Sequence, residues 1–127
     1  MKVLIVDDSA QMRLMIRKII FRDSTEIFEC EDGEDALNAF SVHHPDWILM
    51  DIQMERMDGI SATKQIRNAD PLAKVIIVTN YGDEQTRRAA SRVGAHSFVT
   101  KENLYEINKI LYSDLPLNNF DSSISYN

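Results

Sequence analysis

Three short apolar runs that do not alternate with polar residues constrain the fold of this chain more than any other feature. They are VLIV at 3–6, WILM at 47–50 and VIIV at 75–78. Runs of this length, rich in β-branched residues and bounded by Asp, Pro, Lys or Thr, are typical of parallel strands buried on both faces. Two weaker strands are predicted at 25–30 and 96–100. The chain is therefore predicted to form a parallel sheet of five strands.

Segments of helical period separate these runs. In the first segment, Met12, Ile16, Ile19 and Ile20 share one face, and Ser9 is a suitable N-cap. Four more helices are predicted: after Gly33, after Asp58-Gly59, over 83–93 before Gly94, and from Glu102 to about Ser113.

Five β-α units in succession predict an α/β fold. The expected arrangement is a doubly wound, open, five-stranded parallel sheet of the flavodoxin-like (βα)5 type, with right-handed crossovers and three α/β/α layers. After residue 113 the sequence LPLNNFDSSISYN is polar and rich in Ser and Asn. We therefore expect one domain over 1–113 and a polar tail, or the start of a linker, over 114–127.

Composition narrows the classes of function. A length of 127 residues fits one domain, and a net charge of -6 disfavours general affinity for nucleic acid or anionic membranes. The single cysteine, Cys30, excludes an internal disulfide framework, and the apolar run near the start is too short for a signal peptide or a membrane span. We expect a cytoplasmic protein whose domain binds neither nucleic acid nor membrane directly.

Polar residues occur where the predicted strands end. Asp7 and Asp8 follow the first strand, Asp51 the third, Thr79 the fourth and Lys101 the fifth. Each has an ordinary structural explanation when taken alone, since an Asp commonly satisfies backbone N–H groups after a strand. However, the carboxyl ends of parallel strands meet at one edge of the sheet, where ligands bind. Their joint occurrence favours a functional site.

The chemistry of such a site follows from its donors. Carboxylates 4 Å apart repel by roughly 4 kcal/mol at an effective dielectric of 20, so a cation is needed to hold them. Oxygen ligands without His or Cys favour Mg²⁺, which keeps several waters and takes phosphate oxygens. Asp51, on the central strand, is the best candidate nucleophile. Thr79 and Lys101 are suited to bind the oxygens of a transferred phosphoryl group.

This set of residues resembles the receiver domain of bacterial two-component response regulators. The resemblance covers residues 1 to about 113 and rests on motif type, order and strand context together. It is carried by the acidic pair in VDDS, Asp51 in MDIQMERMDG, Thr79 in VTN, Phe98, and Lys101 three residues later.

The resemblance implies a phosphorylation-dependent switch of a two-component phosphorelay. Asp51 would accept a phosphoryl group from a phosphohistidine of a histidine kinase or phosphotransfer protein. Mg²⁺, with Mn²⁺ as an alternative, would be held by Asp8, Asp51, the Gln53 backbone carbonyl and, often through water, Asp7. The domain would catalyse only its own phosphoryl transfer and dephosphorylation. On phosphorylation, Thr79 would move toward the phosphoryl group and Phe98 would swing inward.

Three positions depart from the pattern that the resemblance implies. Glu55 and Glu102 stand where proline is usual, and Asn80 replaces a small residue. We expect a looser and more acidic loop after Asp51, and a trans peptide before Glu102, because a cis bond to a residue other than proline costs about 3 to 4 kcal/mol.

Partner surfaces are also predicted. On the first helix Gln11, Leu14 and Met15 lie away from the core face, which makes that face a candidate site for the upstream partner. The surface of the fourth helix, fifth strand and last helix is a candidate for an unknown downstream protein or a phosphorylation-dependent dimer. It carries Arg87, Arg88 and Arg92.

The resemblance further places Gln53 and Tyr81 beside the path of water to an acyl phosphate. Tyr81 is bulky enough to exclude water, so these two residues are predicted to tune the phosphoryl lifetime, and we expect a comparatively long one.

Three alternatives remain open at the level of sequence. A haloacid dehalogenase-type phosphatase would need an Asp-x-Asp pair after the first strand, and a nucleotide or flavin module would need glycine motifs that this chain lacks. The third is a receiver-like interaction module that is never phosphorylated. The intact set of acids, hydroxyl and lysine argues against it.

Overall fold

The computed structural model describes residues 1–113, which form one parallel five-stranded sheet with helices on both faces. The sheet order is β2-β1-β3-β4-β5, so the strand order reverses between β1 and β3. The predicted doubly wound fold is confirmed. The strands are β1 (Lys2–Val6), β2 (Glu26–Cys30), β3 (Trp47–Met50), β4 (Val75–Thr79) and β5 (Ser97–Thr100).

Aspartate or serine begins the first four helices. Ser9 accepts the N–H of Met12, and Asp32, Asp58 and Asp83 cap the next three helices in the same manner. These four helices begin within two residues of the predicted starts. The five helices are α1 (Ala10–Ile20), α2 (Gly33–His43), α3 (Gly59–Ala69), α4 (Glu84–Arg92) and α5 (Glu106–Leu111).

The prediction for the last helix is wrong at its start. A 3-10 turn spans Lys101–Asn103, and α5 begins only at Glu106. Neither Thr100 nor Tyr105 makes a side-chain capping bond, so no cap starts an α-helix directly after β5. All peptide bonds of the described residues are trans, as predicted before Glu102.

The apolar runs fill two cores because successive residues of a strand point to opposite faces. Val3 and Ile5 pack with α1 and α5, through residues such as Ile16 and Leu111. Leu4 belongs to the core on the other face, which α2, α3 and α4 cover. Non-alternating strands are therefore what a sheet covered on both sides requires.

No helix among residues 1–113 is long and apolar enough to cross a membrane. The tail predicted over 114–127 lies outside the described residues.

Candidate functional site

Two carboxylates meet at the switch point of the sheet. β1 and β3 are adjacent, with Val6 opposite Met50, so Asp7 and Asp51 leave the sheet side by side. The N–H of Asp51 donates to the carbonyl of Val6 at 2.9 Å. Asp8 joins them, and one carboxylate oxygen from each of the three lies within 4.8 Å of the others. Asp7 and Asp51 are 1% and 6% exposed, whereas Asp8 is open to solvent.

Lys101 bridges the two buried carboxylates. Its Nζ lies 3.1 Å from Asp7 Oδ2 and 3.2 Å from Asp51 Oδ1. The 3-10 turn at the end of β5 brings this side chain across the rim, where it is 10% exposed. One ammonium offsets part of the repulsion between the carboxylates but leaves the three-acid site negative.

The protonation of the site follows from burial and charge. Burial, and then the neighbouring Asp7 carboxylate, raise the pKa of Asp51 to about 6, although Lys101 acts in the opposite direction. Burial alone would lower the pKa of Lys101, but Asp51 and Asp7 outweigh it and raise that pKa. Lys101 therefore stays charged, and a further cation near the carboxylates would favour the ionised form of Asp51. Clustered carboxylate oxygens without nitrogen or sulfur donors fit a hard cation such as Mg²⁺.

Local hydrogen bonds orient the acids. Asp7 Oδ1 accepts the N–H of Ser9 at 2.8 Å, and its backbone carbonyl accepts Arg13 Nη1 at 2.6 Å. Asp51 Oδ1 accepts the N–H of Ile52 at 2.9 Å. The other oxygen of Asp51 accepts no hydrogen bond from any residue between 1 and 113. That oxygen has no partner among the described residues, whereas Oδ1 binds both the Ile52 N–H and Lys101.

A cleft of about 410 Å³ opens over these groups. Thr79, at the end of β4, is 1% exposed, and its hydroxyl oxygen accepts the N–H of Tyr81 at 3.2 Å. The cleft brings together the predicted acids, hydroxyl, lysine and lifetime-tuning residues. Its lining consists of Asp7, Asp8, Ser9, Met12, Asp51, Gln53, Thr79, Asn80, Tyr81 and Lys101.

The remaining predicted residues lie outside the cleft. Phe98 packs against the core beneath α3 and α4, and the Arg87 guanidinium carbon lies 4.6 Å from the centre of its ring. Arg88 pairs with Glu84 at 3.2 Å, so part of the predicted positive charge on α4 is offset locally. Arg92 is exposed.

On α1, Leu14 is 52% exposed, and Gln11 and Met15 beside it are also exposed, as the helical period predicted.

The loop after Asp51, which was expected to be looser than usual, is tethered at two backbone positions. The loop at 54–58 is attached to the start of α2, because Arg56 and Met57 donate their backbone N–H groups to the buried carboxylate of Asp32. Glu55 does add an acid near the site, since it shares a cleft with Asp8. Asp32 therefore contacts a loop of the site, which its sequence context did not indicate. Its position before Gly33 signals a helix cap and gives no sign of a contact 24 residues away.

A parallel α/β sheet that carries this acid, hydroxyl and lysine arrangement at its switch point defines the class of signal receiver domains. Comparison with known proteins gives the family. The response regulator receiver domain profile matches residues 3–111, and the chain belongs to this family.

Two curated relatives differ in how much of their length this chain covers. Chemotaxis protein CheY of Bacillus subtilis is 39% identical over 101 residues, which cover 79% of this chain and 84% of CheY. Regulatory protein AtoC of Escherichia coli is 36% identical over 126 residues, or 98% of this chain but 27% of AtoC. The chain therefore spans most of one relative and about a quarter of the other.

A solved structure agrees with the fold. A chain of the CheX–CheY–BeF3–Mg²⁺ complex from Borrelia burgdorferi superposes with a TM-score of 0.76 at 29% identity, covering 88% of this chain and 87% of that one.

Proposed function

We propose that this receiver domain is a phosphorylation-dependent switch in which Asp51 accepts a phosphoryl group from a phosphohistidine of a sensor kinase or phosphotransfer protein. The observation that carries the proposal is the second carboxylate oxygen of Asp51, which accepts no hydrogen bond from residues 1–113, while Lys101 lies 3.2 Å from the other oxygen and Asp51 lines the cleft. Two findings support it: membership of the receiver family, and similarity to a chain of the Borrelia burgdorferi complex of CheX and CheY with BeF3 and Mg²⁺.

Asp8, Asp51 and the Gln53 carbonyl would hold Mg²⁺, or Mn²⁺ as an alternative, with Asp7 contributing through water. When bound, the ion neutralises the acids and binds phosphoryl oxygens.

The chain's own residues then perform the transfer. The free oxygen of Asp51 attacks phosphorus, the P–N bond of the phosphohistidine breaks, and its electron pair goes to the imidazole nitrogen, which takes a proton from solvent. Lys101, already 3.2 Å from Asp51, remains beside the new acyl phosphate and offsets its charge. The Thr79 hydroxyl reaches the phosphoryl group by a small movement of the loop after β4. No general base is needed because the nucleophile is a carboxylate.

The contacts of the domain with its upstream and downstream partners are proposed at the surfaces predicted above. Leu14 and its neighbours on α1 remain the candidate contact for the upstream partner. The arginines of α4, next to Phe98, remain the candidate contact for a downstream protein or a phosphorylation-dependent dimer. A cytoplasmic location remains a prediction.

Intact mass after incubation with Mg²⁺ and acetyl phosphate tests the proposal. We expect the wild type to gain one phosphoryl group, and neither Asp51→Asn nor the wild type in EDTA to gain one. A wild type that binds Mg²⁺ yet never gains a phosphoryl group would favour the alternative, a receiver-like interaction module that is not phosphorylated.

A further inference from the structure

The carboxylate of Asp32 is buried, at 3% exposure, and binds two separate segments. Its Oδ1 accepts the N–H of Glu34 at 2.9 Å, which caps α2, and the N–H of Met57 at 3.0 Å. Its Oδ2 accepts the N–H of Arg56 at 2.9 Å. Burial would raise the pKa of Asp32, but these three donors lower it overall. One ionised side chain therefore joins the start of α2 to the loop after β3.

The backbone at this junction is closely packed. A Cβ atom at Gly33 would lie 2.5 Å from the Met57 carbonyl oxygen, so the absence of a side chain allows α2 to approach the loop. The Arg56 side chain adds an exposed ion pair, with Nη2 at 2.9 Å from Asp35 Oδ2, but exposed pairs contribute little. The buried backbone contacts are the stronger part of the junction.

The loop held in this way is the one that borders the acceptor. A hydrogen bond joins the two ends of this loop, because the N–H of Gly59 donates to the Ile52 carbonyl at 2.8 Å. Between these ends, Gln53 faces the cleft three residues before Arg56. The Glu55 N–H makes no hydrogen bond within residues 1–113, and position 55 has no proline to fix its φ angle. The order of the loop must therefore come from a contact outside it.

We propose that Asp32 is a positioning residue, which holds the loop at 54–58 so that the Gln53 carbonyl and Asp51 present one preformed cation site. The inference rests on the proposed function, because it concerns the same site. Supporting residues of this kind typically change metal affinity by about 10- to 100-fold when they are removed.

Asp32→Ser separates the two roles of Asp32. A serine hydroxyl can still cap α2 at Glu34, but it is too short to reach Arg56 and Met57. We expect Mg²⁺ affinity, measured by titration of backbone amide chemical shifts, to fall about tenfold or more. The rate of phosphorylation by acetyl phosphate should fall at limiting Mg²⁺ and return to within about threefold of wild type at saturating Mg²⁺. In the absence of Mg²⁺, the backbone N–H groups of Arg56 and Met57 should exchange faster in Asp32→Ser than in wild type.

Rescue distinguishes positioning from a general structural role. Glu55→Pro removes no hydrogen bond and restricts the loop, so it should restore most of the Mg²⁺ affinity when added to Asp32→Ser. Arg56→Gln is the matched control, since it keeps the backbone N–H. It removes the exposed ion pairs with Glu34 and Asp35 and the 3.9 Å contact of the Arg56 guanidinium with Asp32, and it should change the affinity by less than about twofold. Should Asp32→Ser not fold, Asp32→Asn keeps one accepting oxygen and should give an intermediate loss.

Wild-type Mg²⁺ affinity in Asp32→Ser, or equal loss in the Arg56→Gln control, would overturn the inference. Failure of the proposed function is a separate result, since it would appear in the wild type as no phosphoryl gain at any Mg²⁺ concentration.

Discussion

The loop after β3 and the loop after β4 both border the same cleft, and they are held in different ways. Both follow a buried strand and end at a capping aspartate, Asp58 or Asp83. The loop after β3 is bound by Asp32, which belongs to a different β-α unit. The loop after β4 has contacts from its own unit: the N–H of Tyr81 to Thr79 Oγ1 at 3.2 Å, and Arg87 Nε to the Gly82 carbonyl at 3.3 Å.

This difference matches the two different roles of the loops in the proposed switch. The acceptor and cation ligands need fixed geometry before the reaction, because catalysis by charge stabilisation depends on groups that are already in place. The hydroxyl of Thr79 must instead move when the phosphoryl group arrives, so its loop needs weak local contacts. We call the loop after β3 the fixed side of the cleft and the loop after β4 the movable side. In the proposed switch, the movable side can change conformation in response to the added charge while the fixed side keeps its geometry.

The largest expected effect tests the fixed side. A Cβ atom at Gly59 would lie 1.8 Å from the backbone carbonyl oxygen of Asp51, a distance that no side-chain movement can relieve. We expect Gly59→Ala to lower the free energy of unfolding by about 3 kcal/mol or more and to abolish phosphorylation, as measured by urea unfolding and intact mass.

Gly82→Ala is the matched control on the movable side. Its Cβ would lie 3.0 Å from a methyl group of Thr100, which requires only a small shift. We expect a change within about 1 kcal/mol of zero, since the alanine also restricts the unfolded chain. Equal losses from the two substitutions would remove the distinction between the loops.

The second prediction concerns how the ionisation of Asp51, on the fixed side, changes the stability of the protein. The pKa of Asp51 rises from 3.8 to about 6 on folding, so the folded state holds this proton more tightly than the unfolded chain. The contribution of Asp51 to stability is therefore full below pH 3.8 and is lost as the pH rises through about 6. In EDTA, Asp51→Asn should stabilise the protein by about 2 to 3 kcal/mol at about pH 7 and by little at about pH 4.

Urea unfolding at the two pH values measures this effect. Asp8→Asn, at an exposed neighbour on the same rim, should change stability by less than about 1 kcal/mol. Added Mg²⁺ should stabilise the wild type more than Asp51→Asn. A gain for Asp51→Asn that is the same at both pH values would contradict the assigned cause.

The sequence predicted the elements that local chemistry determines. The strand at 47–50 was predicted to the residue because an apolar run is limited by the polar residues at its ends, and Ser9 identified the start of α1. The start of α5 was misplaced, because the helical period of Leu104, Ile107 and Leu111 begins before α5 does and gives no sign of the 3-10 turn at Lys101–Asn103.

The same division holds for the site. Asp7, Asp51, Thr79 and Lys101 could be predicted because parallel topology brings strand ends together. The role of Asp32 could not, since its contacts with Arg56 and Met57 depend on how α2 docks against the loop. The presence of glutamate at 55 therefore suggested a loose loop that a distant residue in fact holds.

The third prediction measures how firmly the movable side is anchored. Arg87 lies over the ring of Phe98 at 4.6 Å and donates to Gly82. Such a cation–π contact near the surface contributes about 0.5 to 1 kcal/mol, so Arg87→Gln should lower stability by that amount in urea unfolding. Arg88→Gln, which removes an exposed pair with Glu84, should cost less than about 0.5 kcal/mol. A loss above about 2 kcal/mol for Arg87→Gln would show that this side is anchored as firmly as the other.

The smallest effect on stability belongs to Tyr81, although its effect on signal lifetime should be measurable. Tyr81 lines the cleft beside Thr79 and is 49% exposed, so Tyr81→Ala should change the free energy of unfolding by no more than about 0.5 kcal/mol. A bulky ring that lines this cleft is expected to limit the approach of water to a phosphoryl group on Asp51, because hydrolysis requires water aligned with phosphorus. In excess Mg²⁺, phosphorylated Tyr81→Ala should therefore lose its phosphoryl group faster than wild type, while Tyr81→Phe, which keeps the ring, should not. Hydrolysis that is unchanged or slower in Tyr81→Ala would show that the ring only packs on the movable loop, and Gln53, which also lines the cleft, would then be the residue to vary.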